Sequence, residues 1–203
     1  MAISEKALQI LKSMPSATIY EAAGKFGDMD PVIRCLNIGV RMAGPAFTLR
    51  TKPGDNLGVF LAIEAAPKGS VLVIDGGGTM RVTIWGGTST VSAKQKGLAG
   101  CVVNAAVRDL DEVLESGFPV FAPGVSVRGT VKDHKGWIGI PVCVGDVMVS
   151  TGDFIVGDSD GVVVIPADKI EKVAEASVEQ RRKEQAWDER IRNGEAPTKV
   201  MGI

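Results

Sequence analysis

Two short segments of the chain combine residue types that could bind and activate a small anionic substrate. The first is Trp85-Gly86-Gly87-Thr88-Ser89, where a loop enters a predicted helix, and its glycines let a ligand approach free backbone amides. The second is Arg108-Asp109, which follows the apolar run Cys101 to Asn104. Arginine offers a planar cation for a carboxylate or an enolate oxygen, and aspartate offers a hard oxygen ligand for magnesium or manganese. Together these residues favour chemistry that passes through an enolate.

The second segment also has a purely structural interpretation. Asp109 and Glu112 have the spacing of a capping box, in which two side chains bond the free amides at the start of a helix. The helix would be Leu110 to Ser116. Spacing alone therefore favours a capping role for Asp109 over a metal site.

The segments that must position these residues alternate between strand and helix patterns. Runs rich in Val, Ile and Phe predict strands at Ala43 to Thr51, Val71 to Asp75, Gly100 to Asn104 and Pro119 to Ala122. Between them, helices are predicted at Asn56 to Ala65, Thr88 to Lys96 and Leu110 to Ser116. The alternation indicates an α/β core with parallel strands, whose binding sites lie at the carboxyl ends of the strands.

The regions on either side of this core have different patterns. Two short helices are predicted at Ser4 to Met14 and Ala17 to Phe26. An antiparallel β layer is predicted from four short runs at Ser126 to Thr130, Val147 to Ser150, Phe154 to Val156 and Val162 to Ile165. A long charged helix follows at 167–193. We therefore expect a single α/β domain over residues 1–203, with helices in 4–26, a core at 36–165 and the long helix last.

Composition narrows the classes of partner. With 203 residues, of which 45% are hydrophobic, the chain can bury a core without disulfides, and Cys35, Cys101 and Cys143 are expected to be reduced. A net charge of −1 predicts no attraction to nucleic acid or to a membrane surface. The start of the chain lacks a signal-peptide pattern, so we expect a cytoplasmic protein that binds small molecules or other protein chains.

Several common catalytic motifs are excluded by single residues. A dinucleotide-binding pattern beginning at Gly76 would need glycine where Arg81 stands. His134 is the single histidine, so two-histidine zinc sites are impossible, and a loop position is expected for it. No lysine interrupts the apolar strands, which disfavours a Schiff-base aldolase. The segment Gly157 to Gly161 is predicted to be a hairpin turn and not a calcium loop.

The spacing of the two segments resembles that of a known family. Gly87, twenty intervening residues, Arg108-Asp109, two more residues and Glu112 match the G-x20-R-D-x2-E/D pattern of the RraA-like class II pyruvate aldolases. The similarity covers about Ala43 to Val164 and includes the segment Gly54-Asp55-Asn56. The resemblance implies a swivelling-type β/β/α fold.

The resemblance also implies an activity and a set of residues. Family members include 4-hydroxy-4-methyl-2-oxoglutarate aldolases, which depend on a divalent metal (Mg²⁺ or Mn²⁺), and oxaloacetate decarboxylation shares their enolate. The resemblance implies that Arg108 holds pyruvate and stabilises the enolate, and that Asp109 ligates the metal. It also implies that the amides of Thr88 and Ser89 contact the pyruvate carboxylate and that Glu112 orients water. Family members often carry an acidic residue at or beside Gly87, where this chain has Gly86-Gly87.

Two further expectations follow from the resemblance. Family members form trimers or hexamers with sites near subunit boundaries, so we expect a homo-oligomer. The rival function is that of the non-enzymatic regulator of ribonuclease E, a trimer that binds proteins. Its arginine lacks the following aspartate, whereas Asp109 is present here.

Overall fold

A twisted mixed sheet forms the centre of the computed structural model, which describes residues 3–203. Its eight strands are β1 (Arg34–Cys35), β2 (Met42–Arg50), β3 (Val71–Asp75), β5 (Gly100–Asn104), β7 (Val120–Ala122), β8 (Trp137–Ile138), β11 (Phe154–Asp158) and β12 (Gly161–Ile165). Seven of them lie in the order β1-β7-β5-β3-β2-β11-β12, and β8 pairs with β2. Two small ladders join β4 (Thr83–Trp85) to β6 (Ala106–Val107) and β9 (Val142–Val144) to β10 (Val147–Val149).

Seven α-helices surround these strands in the described part of the chain. They are α1 (Glu5–Ser13), α2 (Ser16–Ala22), α3 (Leu57–Ala65), α4 (Gly87–Lys96), α5 (Leu110–Ser116), α6 (Ile170–Arg192) and α7 (Pro197–Met201). One 3₁₀ turn, Ala167–Lys169, leads into α6. Within residues 3–203, no helix is both long enough and apolar enough to span a membrane.

The parallel part of the sheet is buried on both faces. Strand β3 pairs in parallel with β2 and β5, and all five of its residues are buried. One face packs against α3, α4 and α5 in a cluster that includes Leu72, Ile74 and Trp85. The other packs against β9, β10 and the hairpin of β11 and β12, in a cluster that includes Val73 and Phe121. This double coverage explains why β3 and β5 are continuous apolar runs.

The two chain ends form a separate layer on the hairpin of β11 and β12. Helices α1 and α2 pack against α6, and their buried residues include Leu11, Ile19 and Val173. The Asp158 carboxylate joins this layer to the hairpin by accepting hydrogen bonds from the Ser16 amide at 2.8 Å and the Ser16 hydroxyl at 2.5 Å. The predicted single α/β domain, its antiparallel strands and its long C-terminal helix are confirmed.

Two details of the sequence prediction are wrong. Residues Ser126 to Thr130 form no strand, because their backbone groups bond to separate elements, as when the Thr83 amide donates to the Arg128 carbonyl at 3.1 Å. Helix α2 ends at Ala22 and not at Phe26, because Gly24 takes a left-handed conformation with φ at 81°. The predicted antiparallel strands at Phe154 to Val156 and Val162 to Ile165 form hairpin β11–β12, and β11 also pairs antiparallel with β2 in the central sheet.

Candidate functional site

A short parallel ladder brings the two sequence segments together. Strand β5 ends at Asn104, and the chain then bends into β6, whose Val107 pairs with Trp85 of β4. Gly86 and Arg108 each follow one of these paired residues. Arg108 follows the apolar strand, as the sequence indicates, and the short strand β6 between them carries it toward β4. A backbone hydrogen bond of 3.1 Å, from the Arg108 amide to the Trp85 carbonyl, fixes this junction.

The start of α4 presents free backbone amides. The helix begins at Gly87, and the Gly87 amide donates to Asp109 Oδ2 at 3.1 Å. The amides of Thr88 and Ser89 have no hydrogen-bond partner within residues 3–203. Because the first amides of a helix point outward along its positive dipole, this turn can bind a carboxylate.

A buried network holds that turn in place. The Trp85 indole nitrogen donates to the Thr90 hydroxyl at 2.9 Å, and the Thr90 hydroxyl donates to the Gly86 carbonyl at 3.0 Å. The Thr90 amide donates to the same carbonyl at 3.0 Å. Trp85 and Thr90 are each 1% exposed, so these bonds form out of contact with water. They orient the Gly86 peptide and thereby the amides that follow it.

Asp109 does not form the capping box that its spacing allows. Its side chain makes no capping bond to α5, and its backbone is left-handed with φ at 55°. The carboxylate turns instead toward α4, where Oδ2 accepts from the Gly87 amide and lies 3.3 Å from Arg108 Nε. A non-glycine residue in this conformation is uncommon and costs free energy, and such residues concentrate at functional sites.

The glycine pair makes room for the acidic side chains beside it. A Cβ atom at position 86 would lie 2.7 Å from Asp109 Oδ2, and one at position 87 would overlap Glu112 Oε2. The Glu112 carboxylate therefore occupies the space next to Gly87 into which a side chain at that position would project. Position 87 has no acidic side chain, but the carboxylate of Glu112 on α5 lies in the space that such a side chain would occupy.

The Arg108 guanidinium is held on one side and free on the other. Its Nε lies against Asp109, and a Cβ atom at Gly129 would lie 3.1 Å from its Nη1. Its two terminal nitrogens have no hydrogen-bond partner within the described residues, and the side chain is half exposed. The group can therefore grip an incoming oxygen through its remaining donors.

A cavity of about 170 Å³ is lined by five of the predicted site residues, namely Gly86, Thr88, Ser89, Arg108 and Asp109, whereas Gly87 and Glu112 lie behind its wall. Its lining also includes residues that the sequence did not single out as site residues: Asn56, Phe60, Thr83, Ile84, Gly129, Thr130 and Lys132. Asn56 lies in the Gly54-Asp55-Asn56 segment of the family resemblance, and its buried Oδ1 has no hydrogen-bond donor within residues 3–203. Nothing in the sequence indicated Lys132, which is exposed at the edge of the cavity, unlike the desolvated lysine of a Schiff-base enzyme.

The donors at this cavity fit a hard divalent cation that shares its coordination with water and substrate. Within residues 3–203 there is no group of three or more His, Cys, Asp or Glu side chains arranged around one point. Magnesium and manganese commonly take only one or two protein carboxylates. Asp109 offers such a carboxylate, since its Oδ1 accepts no hydrogen bond from the described residues, and the Glu112 carboxylate also lies close to Gly87.

The fold is that of an α/β protein with a cavity where β4 and β6 end. Residues 16–164 match the RraA-like family model, described as Aldolase/RraA, and the chain belongs to this family. A relative from Halalkalibacterium halodurans carries the provisional name 4-hydroxy-4-methyl-2-oxoglutarate aldolase. It is 35% identical over 192 residues, which cover 95% of this chain and 89% of the relative.

Two solved structures are similar to this fold. A protein from Pseudomonas syringae pv. tomato superposes with a TM-score of 0.87 at 25% identity, and the match covers 99% of both chains. The RNA-processing inhibitor RraA from Thermus thermophilis superposes with a TM-score of 0.70 at 32% identity, over 75% of this chain and 92% of that one. The family therefore includes relatives named for catalysis and relatives named for inhibition.

Proposed function

We propose that this protein is a divalent-metal-dependent lyase that cleaves a carbon-carbon bond next to a 2-oxo acid and releases pyruvate. The observation that carries the proposal is the meeting of the Gly86-Gly87 turn with Arg108 and Asp109 at one cavity. Substrates of the class of 4-hydroxy-4-methyl-2-oxoglutarate fit this chemistry, and the name of the Halalkalibacterium relative supports the choice. Oxaloacetate is a second candidate substrate, because its decarboxylation forms the same pyruvate enolate.

The chain supplies binding groups for each charge that the reaction moves. The free amides of Thr88 and Ser89 bind the substrate's 1-carboxylate at the start of α4. When the bond between C3 and C4 breaks, its electrons form the enolate across C2 and C3, and Arg108 binds the enolate oxygen. In aldol cleavage the C4 hydroxyl gives its proton to water in the cavity and becomes a carbonyl, and the enolate then takes a proton from water at C3 to give pyruvate.

A divalent cation held by Asp109 supplies a Lewis acid for the 2-oxo group when it is bound. The Glu112 carboxylate lies beside Gly87 and would accept hydrogen bonds from water that surrounds the cation. Lys132, at the edge of the cavity, provides a second positive charge for the far carboxylate of a dicarboxylic substrate.

We also propose that the chain forms a closed homo-oligomer that completes this cavity. An apolar surface beside Arg108 and Asp109 supports this: Val125 is 50% exposed and Val127 is 95% exposed. Together with Leu110 they line a shallow groove at the mouth of the site. Exposed apolar residues that are contiguous with a site commonly mark an interface.

The test measures pyruvate release from 4-hydroxy-4-methyl-2-oxoglutarate and from oxaloacetate, with magnesium, with manganese and with a chelator. The informative variants are Arg108→Ala and Asp109→Asn, because asparagine tolerates the left-handed backbone at position 109. Arg81→Ala and Asp111→Asn, which change exposed groups outside the cavity, are the matched controls. We expect metal-dependent turnover that is lost in the first pair and kept in the second.

The rival proposal is a protein-binding regulator, which the similarity to the Thermus inhibitor favours. The two proposals differ at Asp109, since a surface that only binds protein has no need of a carboxylate in a strained backbone at the cavity. A folded protein that is inactive on both substrates and that retains ribonuclease E in a pull-down would replace the lyase proposal with this one.

A further inference from the structure

Asp55 is a buried carboxylate that does not line the cavity but is bonded to one of its walls. It is 1% exposed and lies in the loop between β2 and α3. Its Oδ1 accepts from the Leu57 amide at 3.0 Å, and its Oδ2 accepts from the Asp133 amide at 3.0 Å and the His134 amide at 2.8 Å. The carboxylate thus links the start of α3 to a segment distant in sequence.

That segment belongs to loop 123–136, which contains no helix or strand. The loop supplies Gly129, Thr130 and Lys132 to the cavity wall. Beyond Asp55, it is attached near this point by two backbone bonds: the Val131 amide donates to the Gly54 carbonyl at 3.0 Å, and the Asn56 amide donates to the Val131 carbonyl at 3.1 Å. The residues on both sides of Lys132, Val131 and Asp133, are therefore hydrogen-bonded to the loop that contains Asp55.

We propose that Asp55 is a positioning residue, whose ionised carboxylate holds residues 131–134 so that Lys132 lies at the cavity. The effect on substrate rests on the proposed lyase function, whereas the effect on the loop does not. An ionised carboxylate suits this place because its two oxygens accept three backbone N–H bonds. An asparagine would present an amide N–H₂ to at least one of those donors.

The charge state of Asp55 agrees with this role. Burial alone would raise the pKa of the carboxyl group, but the bonds from the Leu57, Asp133 and His134 amides outweigh it and hold the pKa below its usual range. Asp55 is therefore ionised at neutral pH. If its charge were removed, the hydrogen bonds that hold the loop would become weaker.

The first experiment reads the loop directly and needs no enzyme activity. Native protein is treated with trypsin, and mass spectrometry follows cleavage after Arg128, Lys132 and Lys135. We expect Asp55→Asn to speed cleavage at these three positions by about tenfold, because local opening becomes easier when charged hydrogen bonds are lost. Asp111→Asn is the matched control: the Asp111 side chain is exposed on α5, makes no hydrogen bond among the described residues and is not next to any of the three cleavage positions, so the cleavage rate should equal that of the wild type.

Amide hydrogen exchange on the wild-type protein tests the same proposal if the Asp55→Asn variant does not fold. The amides of Asp133 and His134, which donate to Asp55, should exchange at least about tenfold more slowly than the amide of Val127, which has no partner among the described residues. Equal exchange rates at these amides would overturn the proposal, as would an unchanged tryptic pattern in a folded Asp55→Asn variant.

The second experiment tests whether Asp55 acts through Lys132. A double-mutant cycle compares Asp55→Asn, Lys132→Ala and the double variant with 4-hydroxy-4-methyl-2-oxoglutarate as the substrate, because its far carboxylate takes no part in the bond cleavage. We expect each single variant to raise KM by about tenfold with little change in kcat, because a remote charge contributes to uniform binding. The double variant should raise KM no further than Lys132→Ala alone.

The outcomes of the two experiments separate the two proposals. Fully multiplicative effects on KM would show that Asp55 acts by another route and would overturn its role in placing Lys132. If the wild-type protein turns over neither substrate, the lyase proposal fails, and proteolysis and exchange still decide whether Asp55 holds the loop.

Discussion

At the scale of single residues, the unusual feature is the use of Asp109. Its position before α5 is that of a helix cap, yet its carboxylate bonds to the Gly87 amide on α4 and lies against Arg108. The residue makes no capping bond and adopts a left-handed backbone, both of which are unfavourable locally. In this conformation its carboxylate lies beside free amides and a guanidinium. The spacing of Asp109 and Glu112 predicted a helix cap. The bond that forms instead joins Asp109 to Gly87, which is twenty-two residues away in the chain.

Substitution at Gly87 tests the space shared with Glu112. In Gly87→Ala the new Cβ atom would overlap Glu112 Oε2, so the glutamate side chain must rotate away. We expect kcat/KM to fall by about tenfold and the free energy of unfolding to change by less than about 1 kcal/mol, since the end of a flexible side chain gives way. Steady-state pyruvate release and urea denaturation measure the two quantities.

The control for this prediction is the same substitution in a Glu112→Ala background. If Gly87→Ala acts by displacing the glutamate, it should cost little further activity once the glutamate has been removed. Equal losses in both backgrounds would mean that the backbone of the turn, and not Glu112, is disturbed.

At the scale of elements, the long buried strands were predictable and the short ones were not. Val71–Asp75 and Gly100–Asn104 were predicted to the residue, because they are apolar runs buried on both faces. Strands β4 and β6 have three and two residues, too few to show any periodicity, although they bring Gly86 to Arg108. The strand predicted at Ser126 to Thr130 is wrong because Val125 and Val127 alternate with polar residues on an exposed surface and not in a sheet.

The same reasoning applies to the site. The two motif segments were found from residue type and spacing, and the structure places all of Gly86, Gly87, Arg108, Asp109 and Glu112 at one junction, while their catalytic roles stay predictions. Lys132 could not be found, because its place depends on how the Asp55 carboxylate binds a distant loop.

The network behind the turn of α4 gives a prediction for Thr90. In Thr90→Val the Trp85 indole N–H loses its acceptor and the Gly86 carbonyl loses one donor, while the shape of the side chain is kept. We expect a loss of about 1–3 kcal/mol in the free energy of unfolding, from the buried unpaired group, and a fall in kcat/KM. Ser177→Ala, which removes a hydroxyl bond to the Val173 carbonyl on α6 and lies outside the cavity, should change both quantities much less.

Asp55 gives stability a definite pH dependence. Because its pKa is lower in the folded chain than in the unfolded chain, its contribution is fully present above the unfolded pKa, and it is lost as pH falls through the folded pKa. The difference in unfolding free energy between the wild type and Asp55→Asn should be about 2–3 kcal/mol at pH 7, and it should shrink below about pH 4. Urea denaturation at pH 7, 5, 4 and 3 measures this difference, and a difference that grows with acidification would contradict the assignment.

At the scale of the whole molecule, the site lies at an open edge of the domain. The cavity is bounded by α3, α4, the β6–α5 junction and loop 123–136, and its mouth continues into the groove lined by Leu110, Val125 and Val127. A Lewis-acid site gains from exclusion of water, because charges interact more strongly where the dielectric constant is low. The single chain leaves this mouth uncovered, and a second copy of the chain would supply the missing wall.

Val127→Asp tests that arrangement. Val127 is 95% exposed, so a charge there costs nothing in an isolated chain, but it would be buried in an interface between copies. We expect light scattering at micromolar concentration to show a wild-type trimer or hexamer and a Val127→Asp monomer that retains the wild-type circular dichroism spectrum. Val32→Asp, at a valine 53% exposed in the loop before β1, should leave the assembly intact. If the cavity is completed by a neighbouring copy, the monomer should also lose pyruvate release, whereas a wild-type chain that is monomeric and active would show that one copy suffices.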